Sequence, residues 1–386
     1  MKCLRCHNEK ESLFAYDQGV YYCRRCVAFG RMDVGQTLAI PDLSCRAVDV
    51  SPELKFALTK EQEHVSEQAL AHLKNGKNVF VYAATGAGKT EICYRSICHY
   101  LKKGKKVGFA ISRRQVVLEI AARLREVFPT LKIVEVCQDY TKEIDGDLIV
   151  CTIHQLYRYP ETFDLLILDE LDAFPYAGNA LLKQFVDNAC KGERLCLSAT
   201  LDPSLQEDID QKKVEVVALF QRPHKKPLIV PEVIRIFRLA QRLLVWHYCL
   251  QFTKQGKQTI VFVPRKKDTL FFELLLHPFN AKAIHSSKKN KDEVMEQFRN
   301  RQFPVLVSTT LLERGITVPG VQAIVYDGDH TVFTQASLIQ IFGRVGRKFD
   351  DPYGRGICLC SRKNESIASC VRTIEWMNAH AASVWK

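Results

Sequence analysis

No window of the 386 residues approaches the run of about 20 apolar residues that a membrane-spanning helix needs. The opening Met1-Lys2-Cys3-Leu4-Arg5-Cys6 lacks the apolar core of a secretory signal peptide. The 15 cysteines are odd in number and scattered, several inside apolar runs at Cys151, Cys196 and Cys358. That excludes a disulfide-stapled scaffold and points to a reducing compartment. The expectation is a cytoplasmic protein whose membrane contact, if any, is peripheral and on the inner face. A second Gly-Lys-Thr is also lacking, so the chain has one phosphate-cradling loop.

What is present is a chain 47% hydrophobic, long enough for two or three domains. Its net charge of +12 is uneven: residues 221 to 301 hold 17 Lys and Arg against 6 Asp and Glu. Such a basic field suits a polyanion, nucleic acid before a membrane surface. Considered alone, the charge is better explained by a solvated face.

The central motif is Val79-Phe80-Val81-Tyr82-Ala83-Ala84-Thr85-Gly86-Ala87-Gly88-Lys89-Thr90. A strand enters a turn of small residues, so Thr85, Gly86, Ala87 and Gly88 can close backbone N–H groups on phosphate oxygens. Lys89 is placed for the outer phosphates of a nucleoside triphosphate and Thr90 for Mg²⁺. Some eighty residues on, Phe163-Asp164-Leu165-Leu166-Ile167-Leu168 reads as a buried parallel strand delivering Asp169-Glu170 to the sheet's C-terminal edge. Asp169 can hold the Mg²⁺ water shell, and Glu170 can orient or deprotonate attacking water. Asp172 and Phe174-Pro175 finish this box. Leu195-Cys196-Leu197 predicts a further strand, tipped by Ser198-Ala199-Thr200.

At the start, Cys3-x-x-Cys6 and Cys23-x-x-Cys26 offer four thiolates, the pattern of a closed structural Zn²⁺ site. Thr59 and Gln62 read as a capping box opening a helix, and Gln62 has a second meaning considered below. Arg113 and Arg114 follow the strand expected from Lys105 to Ile111, where open α/β sheets bind ligands. They fit a nucleic-acid phosphate or a solvated helix start. Thr152 and Gln155 can donate to a phosphate backbone, and Thr152 also reads as a plain N-cap.

Three prolines with Arg222, Lys225 and Lys226 mark a stiff basic linker over 220 to 231. Beyond it come strands expected at 258–264, 282–287 (with His285), 305–310 (with Thr309) and 323–327. Gln340 to Arg347 follows. Arg344 and Arg347, three apart, are expected on one helix face, placed to neutralise a transferring phosphoryl group. The end of the chain reads as helical packing with Trp376 and Trp385.

Taken in order, these motifs resemble a superfamily 2 helicase core over residues 55 to 360. The four-cysteine knuckle, Asp169 to Pro175, Thr310-Leu311-Leu312-Glu313-Arg314-Gly315 and Gly343-Arg344-Val345-Gly346-Arg347 are similar to the ComFA family, the ATPases of bacterial natural competence. The resemblance implies an α/β fold of two tandem RecA-like parallel-sheet domains with a small N-terminal zinc knuckle. The expected extents are 1–50 for the knuckle and connection, 51–221 for the first domain and 222–386 for the second. It implies Gln62 at the adenine edge, Gly315 and Gln340 at the nucleotide, and Arg113, Arg114, Thr152, Gln155, His285 and Thr309 on DNA. It further implies an ATP-driven, single-stranded-DNA motor for DNA uptake, working with a ComFC-type partner and a membrane channel. Ser112 and Gln115 depart from the family's usual proline and acid, which weakens the DNA contacts there. A primosomal-type repair helicase and a nucleotide-gated DNA scaffold are the alternatives.

Overall fold

The computed structural model describes all residues except 172–175, 177, 202, 286, 289, 310–319, 348, 350 and 382–386, and the backbone alone at 203 and 204. The chain divides into two compact units, Met1–Tyr82 with Lys89–Ala218, and Ala83–Gly88 with Leu219–Lys386.

The first unit opens with a hairpin, β1 (Phe14–Asp17) and β2 (Val20–Cys23). Gln18 and Gly19 between them both take positive φ, 52° and 82°. That is the turn whose twist matches a tight antiparallel pair. The hairpin pairs Phe14 with Cys23 and folds the second cysteine pair back onto the first.

The connection that follows is pinned by side chains. Arg46 donates to both carboxylate oxygens of Asp147 at 2.7 and 2.6 Å. Lys106 Nζ, almost fully buried, donates to Asp145 and to the carbonyls of Ser44 and Gly146. The Asp145-Gly146-Asp147 turn is thus an anchor. A Cβ on Gly146 would sit 2.7 Å from the Lys132 carbonyl, so glycine is required there.

The sheet elements then run α1 (Lys60–Lys74), β3 (Asn78–Ala83), α2 (Lys89–Ile92), α3 (Tyr94–Lys102), β4 (Val107–Ile111), α4 (Arg114–Val127), β5 (Ile133–Val136) and β6 (Leu148–Thr152). After a 3-10 turn at Ile153–Arg158 come β7 (Phe163–Asp169), α5 (Ala180–Ala189), β8 (Cys190–Ser198), α6 (Pro203–Asp210) and β9 (Val214–Leu219). The sheet order is β5-β6-β4-β7-β8-β3-β9. The central strands β4 and β6 are buried along their whole length, as a parallel sheet covered on both faces demands.

The second unit contains β10 (Glu232–Arg235), α7 (Arg238–Lys254), β11 (Gln258–Phe262), α8 (Lys266–Leu275), β12 (Lys282–Ile284), α9 (Lys291–Arg299), β13 (Val305–Ser308), β14 (Val321–Val325), α10 (Gln335–Phe342), β15 (Gly356–Cys360) and α11 (Glu365–Ala379). Among the described residues its six strands are ordered β10-β15-β14-β11-β13-β12, every pair parallel. Phe252, Val261, Phe272 and Tyr326 lie in its core, with Phe272 edge-on to Tyr326 at 4.7 Å. Trp376 packs on Phe220, centroids 5.1 Å apart, as expected of a packing helix. Trp385 lies outside the described residues.

Candidate functional site

Strand register decides where the acids of the first unit end up. Ile111 pairs with Asp169, Asp169 with Leu197, and Tyr82 with Ser198, so β4, β7, β8 and β3 finish level at one sheet edge. Lys89 begins α2 at that edge, and its Nζ lies 3.8 Å from Asp169 Oδ1. Asp169 Oδ1 also accepts the Glu170 N–H at 2.9 Å. Glu170 takes a left-handed φ of 60°, an unfavourable conformation for a side-chain-bearing residue. Its N–H donates in addition to the Leu197 carbonyl at 3.1 Å, which helps hold that backbone in place. Strain of this kind costs on the order of 1–3 kcal/mol and concentrates at functional sites.

Thr90, Asp169 and Glu170 are all buried. Beneath them Cys93 donates its thiol to the Lys89 carbonyl at 3.4 Å. Burial first, then the Asp169 charge, pushes that thiol well above its ordinary range, so it stays protonated. One ammonium, one hydroxyl and two carboxylates in a buried corner form a donor set that fits a nucleoside triphosphate with Mg²⁺.

The loop Ala83–Gly88 belongs to the second unit. Gly86 and Gly88 have φ of 81° and 93°, which only glycine adopts freely. The loop is bonded to a residue that sequence reasoning missed. Arg222, assigned from sequence to a stiff basic linker, is 1% exposed. Its Nε donates to the Thr85 carbonyl at 2.9 Å, and its other nitrogens to the carbonyls of Gly343, Val345 and Gly346 at 2.7 to 2.9 Å. Burial foremost, then the charge of Arg347, lowers its pKa to about 10, which still leaves it protonated at neutral pH. No spacing or periodicity signals an arginine held wholly by carbonyls, because its acceptors lie more than 120 residues away along the chain.

One expectation needs correction. Arg344 and Arg347 do not share a helix face. α10 stops at Phe342, and Gly343 to Gly346 form a turn with Gly346 at φ 61°. A Cβ on Gly343 would come within 1.9 Å of Thr85 Oγ1, and one on Gly346 within 2.4 Å of the Pro352 carbonyl. The glycines therefore serve close approach, and the turn they form separates a buried Arg344 from an exposed Arg347. Gln340 is buried on α10, its Nε2 without a hydrogen-bond partner among the described residues. Gly315, Asp172 and Phe174-Pro175 lie outside the described residues.

Strand register groups most of the remaining predicted residues within each unit: Ile111 pairs with Thr152, which sets Arg113 and Arg114 near Thr152, and Ile284 pairs with Ser308, which sets His285 near Thr309. Thr59 and Gln62 form the predicted capping box, with bonds of 2.9 and 3.2 Å, so the Gln62 amide oxygen is already engaged. Arg113 sits at the N-cap of α4. Arg114 donates to the Gln138 carbonyl at 3.0 Å and lies over the Tyr140 ring. Thr152 occupies the N-cap of the 3-10 turn but makes no side-chain cap bond there. Gln155 accepts from Arg158 at 2.6 Å. In the second unit His285 and Thr309 follow β12 and β13, each half-buried.

Cys3, Cys6, Cys23 and Cys26 are buried with their sulfurs all within 4.8 Å of one another. Cys3–Cys26 and Cys6–Cys23 are 3.7 and 3.5 Å apart. A tetrahedron with Zn–S of about 2.3 Å has edges near 3.8 Å, so the set fits that ion and lies far from disulfide length. A hydrogen bond from Cys26 lowers the Cys3 pKa and the same contact raises that of Cys26, as expected where four thiols compete for one charge. The knuckle is fastened to the first unit. Asn188 donates to the Leu4 and Arg5 carbonyls, and Phe29 packs against His154, Tyr157 and Phe185.

A parallel sheet carrying Gly-Lys-Thr and Asp-Glu at one edge, followed in sequence by a second parallel sheet, defines an ATPase of helicase superfamily 2. Family models agree: residues 55–202 match the res subunit of type III restriction enzymes and 239–349 the helicase conserved C-terminal domain. Among solved structures, the chain is similar to S. cerevisiae Dbp5 bound to RNA and ADP BeF3, with TM-score 0.62 and 16% identity over 85% of this chain and 93% of that one. It is 34% identical to competence protein ComFA of Streptococcus pneumoniae strain R6, over 98% of this chain and 90% of that protein. It is 30% identical to ComFA of Bacillus subtilis strain 168, over 99% and 87%. The chain belongs to the ComFA family of competence proteins.

Proposed function

We propose that this helicase-like ATPase is a motor on single-stranded DNA that drives transforming DNA into the cytosol. The observation that carries the reading is the buried corner in which Lys89 and Asp169 stand 3.8 Å apart beside Glu170. In it Lys89 and the Thr85–Gly88 backbone hold the phosphates, Thr90 and Asp169 hold Mg²⁺, and Glu170 orients water. Gln62 contacts adenine, Gly315 and Gln340 complete the nucleotide contacts, and Arg344 and Arg347 neutralise the transferring phosphoryl group. Arg113, Arg114, Thr152, Gln155, His285 and Thr309 grip the strand by its backbone. The excess of lysine and arginine over residues 221 to 301 supports that grip.

Four buried thiolates hold structural Zn²⁺, and residues 1–50, 51–221 and 222–386 act as knuckle, first motor domain and second motor domain. The protein works in the cytoplasm, peripherally at a membrane channel, with a ComFC-type partner. Among the described residues no helix is long and apolar enough to cross a membrane.

The test is ATPase rate with single-stranded DNA, duplex DNA and RNA at two salt concentrations. Stimulation by single-stranded DNA that falls steeply with salt is expected. Turnover indifferent to DNA overturns the motor in favour of a scaffold. Efficient separation of a forked duplex favours a repair helicase, and preferential stimulation by RNA overturns the DNA assignment.

A further inference from the structure

The second unit carries an apolar face that neither the ATPase nor the strand grip uses. On α7, Leu239, Leu243 and Trp246 recur at helical spacing and point outward, the two leucines 63% and 68% exposed. On α8, Leu270, Phe271 and Leu274 do the same, Leu274 at 77%. The two stripes adjoin, because the Arg242 guanidinium lies 4.5 Å over the Phe271 ring at the seam between the helices. Single exposed leucines are ordinary, but two neighbouring helices each showing an apolar stripe mark an interaction site.

Charge decides the occupant. α7 has no acidic residue in its 17 positions. The acids of α8 are already engaged, Asp268 by Arg265 and Glu273 by Lys288. Among the described residues no carboxylate pairs with Arg242 or Lys267. A second copy docking on this face would oppose like charges. A bilayer would bury Arg242, in the middle of the patch, without a counter-charge. Nucleic acid would gain little: the four leucines neither stack on bases nor bind phosphate, the Phe271 ring is already faced by Arg242 at 4.5 Å, and Trp246 packs on Phe279 with centroids 5.5 Å apart.

We propose that the α7–α8 face docks an amphipathic helix of another protein, one whose apolar stripe is flanked by carboxylates that meet Arg242 and Lys267. Leu239, Leu243 and Trp246 form one wall of the seat, and Leu270 and Leu274 the other.

The test uses the full chain and two synthetic 18-residue amphipathic helices with the same leucine stripe, one flanked by Glu and one by Lys. Their binding is read by fluorescence anisotropy. The Glu peptide is expected to bind at least tenfold tighter than the Lys peptide. Leu243→Asp is expected to weaken it tenfold or more while leaving basal and DNA-stimulated ATPase unchanged. Arg242→Glu is expected to reverse the preference. Leu274→Asp gives the same readout should the first variant misfold. Equal binding of the two peptides, or binding untouched by these variants, overturns the proposal. So does dimerisation on sedimentation, or recruitment to anionic vesicles, that Leu243→Asp abolishes. Loss of DNA stimulation in Leu243→Asp with basal turnover intact assigns the face to nucleic acid and also overturns it.

Discussion

The ring of Phe29 meets the ring of Phe185 edge-on, their centroids 4.9 Å apart. Phe29 stands three residues after Cys26, and Phe185 lies on α5. The same phenylalanine packs on Tyr157, in the 3-10 turn that carries Gln155. The knuckle is thus joined to the segment proposed to touch the strand. Phe29→Ala removes a half-buried aromatic, so a stability loss of roughly 1–3 kcal/mol is expected, together with weaker single-stranded-DNA binding. Metal content is expected to stay near one zinc per chain, measured by atomic absorption. Chelation, in contrast, should release that zinc and lower the melting temperature, since a closed thiolate site is itself folding energy.

Lys89→Ala is expected to abolish ATP hydrolysis while DNA affinity, read by anisotropy, persists. Glu170→Gln keeps the size of the side chain but removes the carboxylate proposed to orient water. Turnover is expected to fall at least about a hundredfold, in the range of lost positioning and general-base catalysis, with nucleotide affinity little changed. Unimpaired turnover in either variant sinks the assignment.

Arg222 satisfies four carbonyls with one planar guanidinium. Arg222→Gln leaves buried acceptors unpaired, each costing about 1–3 kcal/mol. A stability loss of about 2–4 kcal/mol and at least tenfold slower hydrolysis are expected from denaturant titration and steady-state rates. Arg222→Lys keeps the charge but lacks the fork, so it should fall between. Gly343→Ala, whose new methyl collides with Thr85, is expected to impair turnover without altering net charge.

The bond from Arg46 is the leading cause that holds the buried Asp147 carboxyl below its ordinary pKa. A carboxylate depressed in the folded state adds stability above its unfolded pKa, near 4, and loses it as pH falls through the lower folded value. Arg46→Ala should therefore destabilise the protein at pH 7, and the gap from wild type should close below about pH 4. Equal denaturation midpoints at pH 7 overturn this account.

The sequence by itself determined the local chemistry. Gly-Lys-Thr after a strand, Asp-Glu after a buried run, and two Cys-x-x-Cys pairs each signal through neighbouring residues, as does the Thr59–Gln62 capping box. All are contiguous patterns whose physics lies within one turn or strand end. Only the tertiary structure decided the rest. It ended α10 at Phe342, because Gly343 and Gly346 are needed for close approach and so break the helix that would have aligned Arg344 with Arg347. It buried Arg222 among carbonyls and turned Asp145 and Asp147 into an anchor for Arg46 and Lys106. It also left Leu239, Leu243, Leu270 and Leu274 exposed on α7 and α8. Burial depends on what the remainder of the chain brings near, and an arginine or a leucine carries no local mark of which side of that boundary it will occupy.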